Sequence, residues 1–313
     1  MLIVTIVAPE PSRTALAAAL DAIRRAVTVT AEPRTLCADE AYELEFADSR
    51  PSDVLDRLRT AVAPVGDFDL AVRPADARPK RLLVADMEST IIENEMLDEL
   101  ATLVGAGNRV AEITARAMNG ELDFREALQE RVGLLEGLPL ADVEASRAKI
   151  RLDPGARVLV STLRAEGFKT ALVSGGFMRF AEPVAEELGF GHCQANRLED
   201  RDGHLTGRVL EPVLDRDAKV AALDRFCGEY DLGRPDAVTI GDGANDLSML
   251  QSSGLGVAYR GKPAVAAAAP QRLDHGDLSV LLYFLGIPKR RWIGADGETE
   301  SAAARGLGSD RNS

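Results

Sequence analysis

Short aliphatic runs recur along this chain, and each ends in a group of small or polar residues. Leu82-Leu83-Val84-Ala85 places four apolar residues in succession, the mark of a strand covered on both faces. Thr170-Ala171-Leu172-Val173 and Val238-Thr239-Ile240 are runs of the same kind. In open α/β sheets built from such strands, ligands gather beyond the carboxyl ends, so the residues directly after each run carry the interest. Between about residues 93 and 151 the pattern turns helical. Met96, Leu97, Leu100, Leu103 and Val104 form one stripe and Val132, Leu134 and Leu135 a later one, with no strand signal between them. A further helix is predicted over 215–230. Asp202-Gly203, between short alternating stretches across 196–211, signals a hairpin. Helices are also expected at 263–269 and 278–285.

Residues 1–78 read as a separate unit: a strand near 2–7, a helix across 12–27, strands near 27–33 and 41–46, a helix near 51–62 and a strand at 68–74. That βαββαβ order suggests a small ferredoxin-like α+β sandwich. Residues 74–80, with Pro74 and Pro79, read as a linker. The expected remainder is an α/β core over 79–94 and 152–288, with a doubly wound, mostly parallel sheet, and a helical insertion over 95–151. An insertion at that point is what a mobile cap over an active site looks like. From Lys289 onward, Gly, Ser and charge predominate, so 289–313 reads as a disordered tail in which Trp292 alone makes no motif. There is no internal repeat.

Composition narrows the functional classes. The chain has 313 residues, 46% hydrophobic and 28% charged, which suits a soluble protein of two or more domains. A formal charge of −13 argues against a surface made for nucleic acid or anionic membranes. It does not argue against a phosphate substrate, because screening confines distant charges to about 8–10 Å. Cys37, Cys193 and Cys227 are scattered, without a CxxC pair, and read as reduced thiols. His192, His204 and His275 show no ligand spacing. The opening Met1-Leu2-Ile3-Val4-Thr5-Ile6-Val7 is too short for a signal sequence, and no membrane span is visible, so a cytoplasmic location is expected.

The candidate chemistry lies at the ends of the three aliphatic runs. Asp86-Met87-Glu88-Ser89-Thr90 puts two carboxylates one residue apart, and in extended chain both lean into one crevice. Their repulsion calls for a cation, most simply Mg2+ as a hard ion with oxygen ligands. The plain alternative is a helix cap by Asp86 or Ser89. Gly241-Asp242-Gly243-Ala244-Asn245-Asp246 repeats the theme: glycines for tight turns, with Asp242, Asn245 and Asp246 as oxygen donors. Ser174-Gly175-Gly176 offers a hydroxyl and unshielded backbone N–H groups, both suited to phosphate oxygens. Lys219, on the helix predicted over 215–230, adds a positive charge.

Asp86/Glu88/Thr90, Ser174, Lys219 and Asp242/Asn245/Asp246, in this order, resemble the aspartate-nucleophile phosphatases of the haloacid dehalogenase superfamily. With Thr114-Ala115-Arg116-Ala117-Met118-Asn119-Gly120, Arg131-Val132 and Val173-Ser174-Gly175-Gly176-Phe177, the set looks like a phosphoserine phosphatase over about residues 80–287. The resemblance implies hydrolysis of O-phospho-L-serine at the last step of serine biosynthesis, with Asp86 as nucleophile and Glu88 as acid, then base. It implies Mg2+ held by the carboxylates of Asp86 and Asp242 and the backbone carbonyl of Glu88, with Asp246 nearby. Ser174, Gly175 and Lys219 would bind the phosphoryl oxygens, and Asn245 would position them, with Thr90 in support. Glu95 and Arg131 fall at the positions where the family recognises the substrate's ammonium and carboxylate; as bare residues they are ordinary helix-surface charges. The family usually has aspartate where this chain has Glu88, and the added methylene brings a further torsion. The first 78 residues are similar to the ACT-type domains that precede many bacterial phosphoserine phosphatases, for which packing or a homodimer is as fitting a role as amino-acid binding. Two alternatives stand beside the leading one: a phosphatase or phosphotransferase of the same fold acting on another small phosphate ester, such as phosphohomoserine or phosphothreonine, or a noncatalytic amino-acid sensor.

Overall fold

The computed structural model describes residues 1–48, 51–118 and 121–294. The chain opens with β1 (Leu2–Val7), α1 (Arg13–Ala26), β2 (Thr28–Val29), β3 (Arg34–Cys37), β4 (Ala41–Ala47), α2 (Pro51–Val62) and β5 (Asp69–Pro74). These strands form an antiparallel sheet ordered β2-β4-β1-β5, with β3 added on β4. The strand expected near 27–33 is only the two residues of β2, and β3 begins after Pro33, which lacks the N–H that a continuous ladder needs. Ser12 caps α1 by accepting from Ala15 N–H. Leu16, Ile23, Val54 and Leu58 from the helices close over Val4, Ile6, Leu44 and Val72 of the sheet.

The second sheet holds the candidate chemistry. It begins with β6 (Leu82–Ala85), then breaks for α3 (Met96–Leu103), α4 (Gly107–Met118), α5 (Phe124–Gly133) and α6 (Leu140–Ala145). It resumes through α7 (Ala156–Ala165), β7 (Lys169–Phe177), α8 (Met178–Leu188), β8 (His192–Arg201), β9 (His204–Leu210) and α9 (Arg216–Glu229). It ends with β10 (Ala237–Gly241), α10 (Leu247–Ser252), β11 (Leu255–Tyr259), α11 (Pro263–Ala268), β12 (Gln271–Leu273) and α12 (Val280–Phe284). The strand order is β12-β11-β10-β6-β7-β8-β9, parallel throughout except for the β8–β9 hairpin. Alternate residues of β6 explain its unbroken apolar run. Leu83 and Ala85 pack with Leu159, Leu163 and Phe180 on one face, while Leu82 and Val84 pack with Leu223, Phe226 and Met249 on the other.

The helical insertion enters and leaves through paired backbone: Glu93 N–H donates to Arg151 O and Asp153 N–H to Ile91 O, each at 2.9 Å. It also leans on the hairpin, with Gly137 N–H on Leu205 O and Leu140 N–H on Gly203 O. The α3 stripe is only partly buried. Met96, Leu97 and Leu100 are covered, whereas Leu103 and Val104 are exposed because the helix ends there, past the edge of the core. Asn119 and Gly120 of the sequence motif lie outside the described residues.

The expectation of a tail from Lys289 needs correction over 289–294. Lys289–Arg291 form a 3₁₀ turn, Trp292 is buried against Tyr283 with ring centroids 4.5 Å apart, and its Nε1 donates to Ile287 O. Ile293 N–H donates to Thr162 Oγ1 at 2.9 Å. Residues 295–313 lie outside the described residues. No helix among the described residues is long and apolar enough to cross a membrane.

Candidate active site

Parallel pairing sets where the polar residues emerge. Ala85 sits opposite both Ile240 and Leu172, so β6, β10 and β7 reach their carboxyl ends side by side. Asp86 follows directly, its N–H on Ile240 O at 3.0 Å. The chain then turns sharply: the N–H groups of Thr90, Ile91 and Ile92 all converge on Met87 O, and Ser89 adopts a left-handed φ of 53°. After β10, Gly243 N–H donates to Asp246 Oδ2 at 3.1 Å, and a Cβ at Gly241 would lie 2.4 Å from Asp246 Cγ. Only glycine lets that carboxylate fold back against the strand end.

These turns bring Asp86, Asp242 and Asp246 together, with carboxylate oxygens within 4.8 Å of one another, all three buried. Lys219, from α9, lies among them: its Nζ is 2.7 Å from Asp86 Oδ1 and 2.5 Å from Asp246 Oδ1. Burial pushes Asp242 up to about 6, with the charge of Asp86 adding to it. Burial and Asp86 push Asp246 to about 7 although Lys219 pulls the other way. Burial by itself would lower the pKa of Lys219, but Asp246 and Asp86 outweigh it and raise it. The Lys219 ammonium thus contacts two of the three acids, and the buried Asp86 Oδ1, although close to Nζ, has no aligned hydrogen bond. The donor set, hard oxygens with excess negative charge, fits a divalent cation such as Mg2+.

Glu88 is not part of this cluster. Its Oε1 accepts Met96 N–H, the first of α3, at 2.8 Å, and its Oε2 lies 2.6 Å from where a Cβ on Gly176 would be. Burial first, then the charges of Glu95 and Asp86, push its carboxyl up to about 8. Ser174 is buried, and its Oγ accepts Gly176 N–H at 2.9 Å. Gly175 lies beneath Phe124 Cζ and Asn245 Nδ2, which a Cβ would meet at 3.7 and 4.0 Å. Thr90 is buried with an Oγ1 that has no hydrogen-bond partner.

On the rim, Glu95 Oε1 accepts from Ser89 Oγ at 2.7 Å, and partial desolvation beneath the insertion raises its carboxyl, with Asp86 contributing. Arg131 donates through Nε to Ala127 O; burial lowers its pKa, while Asp98, Glu95 and Glu88 act in the opposite sense. Two residues beside the site went unnoticed in the sequence. Lys262 Nζ lies 3.8 Å from Asp242 Oδ2, and Asn196 hydrogen-bonds the glycine turn. Neither stands in a run that singles it out; both are brought in from other elements.

Residues 83–251 match the family model for haloacid dehalogenase-like hydrolases. The chain belongs to that family. Among its relatives, the phosphoserine phosphatase of Mycobacterium tuberculosis is 43% identical over 80% of this chain and 60% of its own length. That of Lactococcus lactis is 44% identical over 66% of this chain and 95% of its own length. The chain thus spans about 60% of the longer relative. A crystal structure of a probable phosphoserine phosphatase from Vibrio cholerae, in unliganded form, superposes with a TM-score of 0.74 at 32% identity, covering 93% of this chain and 87% of that one.

Proposed function

We propose that this chain is a Mg2+-dependent phosphoserine phosphatase, hydrolysing O-phospho-L-serine to L-serine and phosphate as the last step of serine biosynthesis. The observation that carries this reading is the buried trio Asp86, Asp242 and Asp246 around Lys219, beside the Ser174-Gly175-Gly176 turn. Such an arrangement suits phosphoryl transfer, which needs a placed nucleophile and neutralisation of charge on the moving group.

Asp86 acts as nucleophile: a carboxylate oxygen attacks phosphorus as the bond to the serine oxygen breaks, leaving an aspartyl-phosphate. Glu88, with its carboxyl raised to about 8, holds a proton at neutral pH and gives it to the departing oxygen. The resulting carboxylate then takes a proton from the water that attacks the aspartyl-phosphate, which returns Asp86 to its starting state. Lys219, the Ser174 hydroxyl and the Gly175 N–H bind the phosphoryl oxygens, and Asn245 positions them. Asp86 and Asp242, with the Glu88 carbonyl and Asp246 close by, would hold Mg2+, which supplies positive charge to the transferring group.

We read residues 95–151 as a cap carrying the selective residues. Glu95 would receive the ammonium and Arg131 the carboxylate of phosphoserine. Residues 1–78 we read as an ACT-like domain, on the strength of their strand order.

The test is phosphate release from O-phospho-L-serine, phosphothreonine, phosphohomoserine and an aryl phosphate, with Mg2+ and with chelator. Mg2+-dependent preference for phosphoserine is the expected result. Equal rates on all four would move the reading to a general small-ester phosphatase. No turnover of any would overturn it in favour of a sensor.

A further inference from the structure

We infer that Asn196 is a positioning residue for the phosphoryl pocket: its buried amide fixes the Gly175–Gly176 peptide and ties it to the segment entering the Lys219 helix. This rests on the phosphatase reading above.

The β7–β8 pairing shows why such a residue is needed. It is regular up to Val173 opposite Gln194 and resumes at Phe177 opposite Asn196. Between those points β7 contributes Ser174, Gly175 and Gly176 while β8 contributes only Ala195. The longer side bows out of the ladder, and its backbone groups must find partners elsewhere. Asn196, 1% exposed, supplies one: Nδ2 donates to Gly175 O at 2.7 Å.

A trans peptide holds its C=O and N–H on opposite sides of one plane. Anchoring Gly175 O on Asn196 therefore turns Gly176 N–H away from it, toward Ser174 Oγ. The orientation of a glycine peptide, which its own backbone leaves free, is thus set from a neighbouring strand.

The other end of the same amide reaches the second phosphoryl-binding element. Oδ1 accepts Leu214 N–H at 2.7 Å. Leu214 directly precedes Asp215, whose carboxylate caps α9 by accepting from the N–H groups of Asp217 and Ala218. Lys219 follows within that helix. One amide therefore spaces the Ser174 turn from the start of the Lys219 helix. Only a side chain that donates and accepts at once serves both backbone groups. An aspartate would keep the bond from Leu214 N–H but turn a second acceptor toward Gly175 O.

The experiment uses the full chain with Asn196→Asp. Three quantities are read well below the melting temperature: kcat/KM for phosphoserine, kcat/KM for p-nitrophenyl phosphate, and competitive inhibition by inorganic phosphate. Expected is a fall in kcat/KM on the order of 10²-fold, alike for both substrates because they share only the phosphoryl group, with phosphate inhibition weakened about tenfold or more. A purely structural role would lower the melting temperature and the amount of active enzyme but leave the inhibition constant for phosphate unchanged, and that result overturns the inference. If Asn196→Asp does not fold, Asn196→Gln, with the same donor and acceptor one methylene further out, is read the same way. Wild-type protein that neither hydrolyses phosphoserine nor responds to phosphate would instead sink the phosphatase reading itself.

Discussion

The methylene that Glu88 carries beyond an aspartate is accommodated by two neighbours: the Met96 N–H that holds Oε1, and Gly176, whose missing Cβ leaves room for Oε2. Gly176→Ala should therefore crowd the carboxylate and cut activity, and Glu88→Asp in the same chain should relieve part of the loss; additive defects in the double-mutant cycle would refute the contact. Glu88→Gln keeps an acceptor for Met96 N–H but removes the proton, so kcat should fall by about 10²–10⁴-fold while KM stays within a few-fold. Asp86→Asn should abolish phosphate release with an unchanged far-UV circular dichroism spectrum, and near-native turnover would remove Asp86 as nucleophile. The residue types needed for this chemistry were readable in the sequence. The direction of Glu88 was not, because it depends on the left-handed turn at Ser89 and on where α3 begins.

Among the elements, those with the strongest apolar pattern were the most legible. β6 spans Leu82–Ala85 as its four-residue run predicts, and α9 fills the stretch between the cap residues Asp215 and Tyr230. Elements held by distant partners were not legible. Residues 289–294 have a polar, tail-like composition, yet Trp292 covers Tyr283 and Ile293 bonds Thr162, 131 positions away. Trp292→Ala should lower unfolding free energy by about 3–5 kcal/mol, measured by urea titration, and a change below about 1 kcal/mol would show that this turn contributes no core. Gly256 is another such point: a Cβ there would lie 1.9 Å from Leu250 O, so Gly256→Ala should fail to accumulate as folded protein.

Across the whole molecule, the two sheets are joined by buried polar contacts as well as apolar ones. The Asp69 carboxylate accepts the N–H groups of Asp274, His275 and Gly276, and the Gln271 amide pairs with both N–H and C=O of Val72. Calorimetry should therefore show one unfolding transition; two well-separated transitions would mean the first sheet is held only loosely. Mg2+ should raise the melting temperature of the wild type, by the equivalent of about 2.7 kcal/mol at one hundred times its Kd, and should do so far less in Asp242→Asn. Chelator should abolish turnover, and added Mg2+ should restore it. By itself the sequence determined the two-sided strands, the polar groups at their ends and the family, because apolar periodicity and motif spacing are local properties of the chain. Only the tertiary structure decided which acids converge on Lys219, that Glu88 turns instead to α3, and that Asn196 joins the glycine turn to the Lys219 helix. Those outcomes depend on strand register and on hydrogen bonds between residues far apart in the chain, and no local pattern encodes them.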